Sequence, residues 1–392
     1  MGEPDGLLQR AKAVSGEPVS YIPTDDRKPP GQGTALCLSG GGYRAMLFHV
    51  GALWRLNEAG MLPSLDRVSS VSGGSITSAA LGKAWGQLGF EQDGVARDFV
   101  EHVVAPVREL AALTIDEQAV AVGLLTPGTV SDHVAHAYDK RLFRGSMLRD
   151  LPADGPQFIF NATNLASGEL WRFSRAYMGD WRVGLVNDPD LSLAHAVAAS
   201  SAFPPVLSPC TIDLSDAAWD TVEGNDLTGP AFRSEIELTD GGVYDNLGLE
   251  TAWKRCRTVL VSDAGGQMKP VAHPHDDWVL QSLRVTKVID NQVRALRKRQ
   301  VLDGYESEAR EGAYWGIRSD IANFPSPGTL PCPCGATLKL AEFATRLQAL
   351  EPLDQERLIN WGYAICDAAL RSHVNGALPP PGGFPYGQAG VG

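Results

Sequence analysis

The sequence predicts one α/β domain, built as three α/β/α layers around a mostly parallel sheet. Short apolar runs of strand length alternate with longer runs of helical spacing, the pattern of a sheet covered by helices on both faces. Two strand-to-helix junctions are glycine-rich, and no internal repeat divides the 392 residues into smaller units. Hydrophobic residues make up 44% of the chain and charged residues 20%, enough apolar material for a domain-sized core.

Residues 1–30 are polar and end in Asp25-Asp26-Arg27-Lys28-Pro29-Pro30, a leader ahead of a folded body spanning 31–373. Thr34–Leu38 reads as a strand running into glycines, and Ala45–Ala59 follows with helical spacing. Arg67–Val71 is a second strand, and Ser75–Trp85 a helix of small residues. Phe158–Thr163 and Leu170–Ser174 read as a strand pair, Leu193–Ala199 as a helix and Thr258–Asp263 as another buried strand. Val279–Leu302 reads as a long amphipathic helix whose Leu283, Val285, Val288, Ile289, Val293 and Leu296 would face the core. Ala341–Leu350 and Asp354–Leu370 read as closing helices. The tail, 374–392, is rich in Pro and Gly and expected to be disordered.

The formal net charge of −12 argues against a nucleic-acid binder, which would carry a clustered basic surface. Six cysteines in so long a chain do not make a disulfide framework, and Cys332-Pro333-Cys334 lacks the second ligand pair of a zinc site. The N-terminal stretch has no signal-peptide core, and no apolar run reaches the ~18–20 residues of a membrane span. A cytoplasmic protein, meeting membranes only from the surface, is therefore expected. The basic run Arg294-Ala295-Leu296-Arg297-Lys298-Arg299 reads as a solvated helix face, or as a contact for anionic lipid headgroups.

Four segments carry chemistry. In Leu38-Ser39-Gly40-Gly41-Gly42-Tyr43-Arg44-Ala45 three glycines let several backbone N–H groups converge, and the following helix adds its positive end. Such a loop suits a phosphate or the oxyanion of acyl transfer. Gly40-x-Gly42-x-x-Ala45 also fits a loose dinucleotide fingerprint. Ser70-Val71-Ser72-Gly73-Gly74 is a nucleophile-elbow pattern with serine replacing the first glycine, and its central residue is Ser72. Thr239-Asp240-Gly241-Gly242 follows an alternating apolar stretch and places a carboxylate at a strand end, unless it is only a hairpin turn. Ala198–Pro205 is a small-residue helix ending in Phe-Pro-Pro.

In this order the four segments resemble the patatin-like phospholipase family, with its Gly-rich loop, G-x-S-x-G elbow, A-S-S-A-x-P segment and D-G-[GA] motif. The glycine loop with Tyr43-Arg44-Ala45 is similar to that of cytosolic phospholipases A2, and the resemblance spans roughly Ala35 to Asp263. It implies a patatin-like fold and a Ser–Asp dyad acting on lipid esters without metal or cofactor. Ser72 is then the nucleophile and Asp240 the base. Gly41 and Gly42 supply the oxyanion amides, Gly40 lines the hole, and Arg44 is placed to bind a lipid phosphate or to form a structural ion pair.

Two other readings stay open at this level. A Ser–His–Asp esterase could use Ser72, then Asp240 or Asp263, then His273, His275 or His373. His49 and His195, on small or apolar helices, read as core or pocket histidines. A nucleotide-binding domain would want an acid about 20 residues after the loop, and Glu58 and Asp66 bracket that distance.

Overall fold

Ala35, Leu36, Cys37 and Leu38 are completely buried, as a strand must be when helices cover both faces of a parallel sheet. The computed structural model describes residues 30–116, 129–222, 224–274 and 276–392. Apart from Pro30 the expected leader lies outside these, as does His275. Among the described residues ten strands form one sheet: β1 (Gly31–Leu38), β2 (Arg67–Val71), β3 (Gln157–Asn164), β4 (Leu170–Phe173), β5 (Tyr177–Asp180), β6 (Gly184–Asn187), β7 (Cys210–Asp213), β8 (Glu235–Asp240), β9 (Cys256–Asp263) and β10 (Glu311–Gly316). β10, β9, β1, β2 and β3 lie side by side and parallel. β4, β5 and β6 extend this core as an antiparallel meander. The main covering helices are α1 (Gly42–Glu58), α2 (Gly73–Ala84), α3 (Leu193–Ser200), α4 (Trp278–Glu306), α5 (Cys334–Leu340) and α6 (Pro352–His373). The expected α/β/α architecture with a parallel sheet core is what the chain adopts.

The pairing along β3 decides where a site forms. β2 pairs with β3 from Arg67↔Gln157 to Val71↔Asn161 and ends there. β8 takes over the same edge one residue later, with Ala162↔Asp240, while β4 holds the opposite edge. β2 runs parallel to β3 and β8 antiparallel, so their C-terminal ends meet head to head. Ser72 follows one end and Asp240 is the other.

Three expectations are corrected. Residues 341–350 are not helical; the helix is α5, just before them. Their backbone groups are engaged elsewhere: the Arg346 and Leu347 carbonyls accept from Tyr43 N–H (3.0 Å) and Ile115 N–H (2.8 Å), and Leu350 N–H donates to the Ala111 carbonyl (2.9 Å). The tail is seated on the body rather than disordered. Asn360 Nδ2 donates to the Tyr386 (2.9 Å) and Gly390 (2.8 Å) carbonyls, Arg55 donates to Pro379 O (2.7 Å), and Val391 is buried.

The third correction concerns α4. Leu283, Val285, Val288, Ile289 and Leu296 are 40–58% exposed, and only Val301 and Gly304 of the helix are buried. Its basic face turns inward instead: Lys298 Nζ lies 2.6 Å from Asp263, and Arg297 donates to Glu250 at 2.8 Å. The surface beneath α4 is acidic, so pairing the cations decides the helix's rotation and leaves its apolar side outward. Among the described residues no helix is long and apolar enough to cross a membrane.

Candidate active site

Ser72 sits where β2 turns sharply into α2, with φ 53° and ψ −122°. A non-glycine residue there stores on the order of 1–3 kcal/mol of strain, a cost the surroundings must offset. The elbow is locked from several sides. Ser72 N–H donates to the Ser200 carbonyl (3.2 Å) and to Ser200 Oγ (3.1 Å). Ser200 Oγ donates to Asn161 O at 2.6 Å, and the Ser200 carbonyl also accepts from Gly241 N–H at 3.3 Å. One buried serine thus ties the Ser72 turn to the turn after Asp240. Sequence reasoning singled out the Ala199–Pro204 segment but gave Ser200 no role; two adjacent serines on a small-residue helix were the only signal. Ser70, in place of the first glycine, fits because its hydroxyl donates to Ile159 O (3.2 Å) and accepts from Ser75 Oγ (3.1 Å).

The glycine loop lies against this elbow. A Cβ on Gly40 would come 3.1 Å from Ser72 Cβ, and one on Gly73 would fall 2.1 Å from Gly42 O. Gly41 and Gly42 have φ of 147° and 60°, which L side chains rarely adopt. Gly40 N–H is spent on Asn246 O (3.1 Å) and Tyr43 N–H on Arg346 O (3.0 Å). Among the described residues the amides of Gly41 and Gly42, lying between those two, have no protein acceptor. They are the pair free to hold an oxyanion. Gly42→Ala would drive a Cβ to 2.5 Å from Arg346 O and swing the amide away. We expect kcat to fall by roughly 10²–10³-fold, measured on protein shown to be folded by circular dichroism. A kcat within threefold of wild type would remove this loop from the chemistry.

Asp240 is buried, and its Oδ1 accepts from Gly242 N–H at 2.7 Å. Oδ2 is buried without a hydrogen-bond partner. Burial pushes the carboxyl up to about 7; the Gly242 amide and the neighbouring Ser72 hydroxyl pull the other way, and the charge of Asp290 adds to the rise. Among the described residues no hydrogen bond joins Ser72 Oγ to Asp240, a common state before such contacts tighten on ligand binding. Asp263 behaves oppositely. Burial raises it, but Lys298 and Arg294 outweigh that and hold it well below the usual carboxylate range. Two buried aspartates at strand ends are thereby shifted in opposite directions by their surroundings.

Arg44 is 3% exposed and engaged by the protein. It donates to Ala264 O from Nε (3.2 Å) and Nη2 (2.9 Å), to Thr345 Oγ1 (3.1 Å) and to Phe343 O. These bonds brace the glycine loop against the loop after β9. The structure gives Arg44 neither the ion pair nor an open lipid-phosphate contact. His49 is buried between Ser39 O and Ser262 Oγ (2.9 Å each), and burial lowers it to about 4, so it is a neutral brace. His195 bonds Ser192 and His373 packs edge-on to Phe324; neither placement serves Ser72. Asp66 accepts from Thr34 N–H at the N-terminal end of the strands, across the sheet from the glycine loop, and Glu58 holds Trp54 and Tyr363. The dinucleotide reading therefore loses its ribose acid.

Human GIVD cytosolic phospholipase A2 shares this fold, with a TM-score of 0.53 at 14% identity over 85% of this chain and 58% of that one. A second structure of that protein, in complex with methyl γ-linolenyl fluorophosphonate, gives 0.51 at 15% identity over 93% and 60%. VipD from Legionella pneumophila superposes more loosely, with a TM-score of 0.36 at 16% identity over 88% and 67%. The chain thus spans about 58% of the length of the human phospholipase structure. No curated protein matches the chain by sequence. The family model described as patatin-like phospholipase matches residues 36–253, which hold the glycine loop, the elbow, the small-residue segment and the Asp-Gly-Gly turn, and the chain belongs to that family.

Proposed function

We propose that the protein is a serine lipid acyl hydrolase working through Ser72 and Asp240. The observation that carries this reading is the head-to-head meeting of β2 and β8 on one edge of β3, beside two unpaired glycine amides. In the first step Ser72 Oγ attacks the ester carbonyl and its proton passes to Asp240. The Gly41 and Gly42 amides take the developing oxyanion, and Asp240 returns the proton to the departing alcohol. In the second step Asp240 takes a proton from water, whose oxygen attacks the acyl-serine; as the acyl–Oγ bond breaks, Asp240 passes that proton to Ser72 Oγ, the fatty acid leaves and the dyad is restored. Phospholipids, lysophospholipids and neutral acylglycerols all present the required ester. The test is fatty-acid release from a panel of these lipids, read by mass spectrometry. Turnover of at least one is expected, and wild-type protein inert on the whole panel would remove the reading.

The outward apolar side of α4 supports a lipid surface as the substrate's source. Arg297 of α4 lies 4.0 Å from Asp245, in the turn just after Asp240, so the helix stands beside the site. From Trp278 to Ile289 the only charges are the cations Arg284 and Lys287, in a chain of net charge −12. Those two cations sit within the apolar side, with Asp276, Asp277 and Asp290 only at its ends, an arrangement that suits a lipid surface, while the net charge opposes face-to-face pairing of two copies. Val285→Asp with Ile289→Asp is expected to weaken sedimentation with phosphatidylglycerol vesicles by roughly tenfold or more. Hydrolysis of a soluble short-chain ester should stay within twofold. Unchanged sedimentation would remove the lipid-docking role of this helix.

A further inference from the structure

A cavity of about 480 Å³ lies between the loop after β9, the inner face of α4 and the end of β10. The Arg44 guanidinium separates it from the glycine loop: a Cβ on Gly41 would lie 2.9 Å, and one on Gly266 in the cavity wall 3.4 Å, from Arg44 Nη2. Arg294, Lys298 and Arg318 line it, together with Asn291, Ser319 and the carboxylate of Asp263.

The charges here do not balance. Four cations, counting Arg44 behind the wall, face two carboxylates, Asp263 and Asp290, and Asp290 sits 3.5 Å from Arg294. Asp263 is already saturated by Lys298 (2.6 Å), Tyr314 Oη (2.7 Å) and Gly265 N–H (2.8 Å). Arg318 donates to Ala341 O at 3.3 Å and has no carboxylate partner among the described residues. The Nε atoms of both Arg294 and Arg318 are buried without an acceptor. Burial lowers Arg44 to about 10, and the charges of Arg294 and Arg318 push the same way. Arg294 is engaged through Nη1 by Asp290 and through Nη2 by Gly266 O, so the donor left free among the described residues is the guanidinium of Arg318, whose single bond is to Ala341 O. An unpaired guanidinium in a partly enclosed, net positive cavity calls for an oxyanion. Ser319 Oγ accepts from Gly316 N–H (3.0 Å) and keeps its own proton to donate.

We propose that this cavity binds a phosphate group. The free guanidinium of Arg318, with the positive charges of Arg294 and Lys298 alongside, suits a multiply charged anion such as a phosphate, whose third and fourth oxygens remain for Ser319 and Asn291. The volume leaves room for what the phosphate is attached to. The group can come from a phospholipid headgroup or from a soluble phosphate, and binding is independent of whether Ser72 performs hydrolysis.

The full chain is titrated calorimetrically with inorganic phosphate and, separately, with a monomeric dihexyl ether analogue of phosphatidic acid, which has no ester to cleave. One saturable site per chain is expected for at least one probe. Binding of the lipid alone identifies a headgroup site, binding of inorganic phosphate alone a soluble-anion site, and either supports the proposal. Arg318→Gln should weaken binding by roughly tenfold to a hundredfold. Leu338 lines the cavity and is 36% exposed, so charge there leaves the fold intact. Leu338→Glu should weaken binding by about tenfold and Leu338→Lys should tighten it. Ser72→Ala should bind as wild type does, which keeps this result separate from the hydrolase reading. Failure of both probes to bind, or binding indifferent to Arg318→Gln and Leu338→Glu, would overturn the proposal.

Discussion

Ser72→Ala is expected to lower kcat for lipid-ester hydrolysis by roughly 10⁴-fold or more, with KM little changed. The size follows from what the substitution removes. The Oγ proposed to form the acyl-enzyme is gone, while the elbow's anchors are backbone and Ser200 contacts that alanine retains. The glycine amides and the substrate surface also stay, so binding survives and a small residual rate over water remains. The comparison needs initial rates over a range of lipid concentrations, with thermal melting to show that the variant folds. A kcat within tenfold of wild type would mean that another nucleophile does the work.

Asp240→Asn is expected to cost roughly 10³–10⁴-fold in kcat, because the amide cannot accept the serine proton. The wild-type rate should carry the same information in its pH profile. Burial raises this carboxyl to about 7, so activity should rise about tenfold per pH unit below 7 and level off above it. The asparagine variant should lose that limb. Stability should move the other way. An unfolded aspartate titrates near 4, so between about pH 4 and 7 the folded chain holds a proton that the unfolded chain has lost. The group therefore stabilises the fold most below pH 4, and that contribution disappears as the pH climbs through 7. Asparagine carries no such charge, so the variant should melt higher than wild type at pH 8, by on the order of a few kcal/mol in stability, and the gap should close toward pH 4. An acid limb near pH 4, or equal melting at pH 8, would contradict the buried-base assignment.

Much of the sheet core, and the glycine-rich junctions of the candidate site, were legible because they depend on local backbone geometry. The all-apolar run at Ala35–Leu38, the triple glycine and the small residues around Ser72 each force a tight strand–helix junction, and such junctions show in sequence. The convergence of Ser72 with Asp240 was legible only through the order of motifs, since the handover of β3's edge from β2 to β8 is a tertiary pairing. Ser200 stayed hidden for the same reason. α4 was misread because apolar periodicity reports that a helix has two faces, not which one the body wants. Asp245, Glu250 and Asp263 lie beneath it, so Arg297 and Lys298 face inward and Val285 and Ile289 face out. The Pro/Gly-rich tail composition hid anchors supplied by Asn360 and Arg55, far away in sequence.

Covalent trapping reads the nucleophile and its base together. The wild-type chain is incubated with an alkyl fluorophosphonate from pH 5 to 9, digested, and mapped by mass spectrometry. A single adduct on the peptide carrying Ser72 is expected, forming faster as the pH rises through 7 and strongly slowed in Asp240→Asn. An adduct on a different residue, or equal labelling of Ser72→Ala, would contradict the dyad.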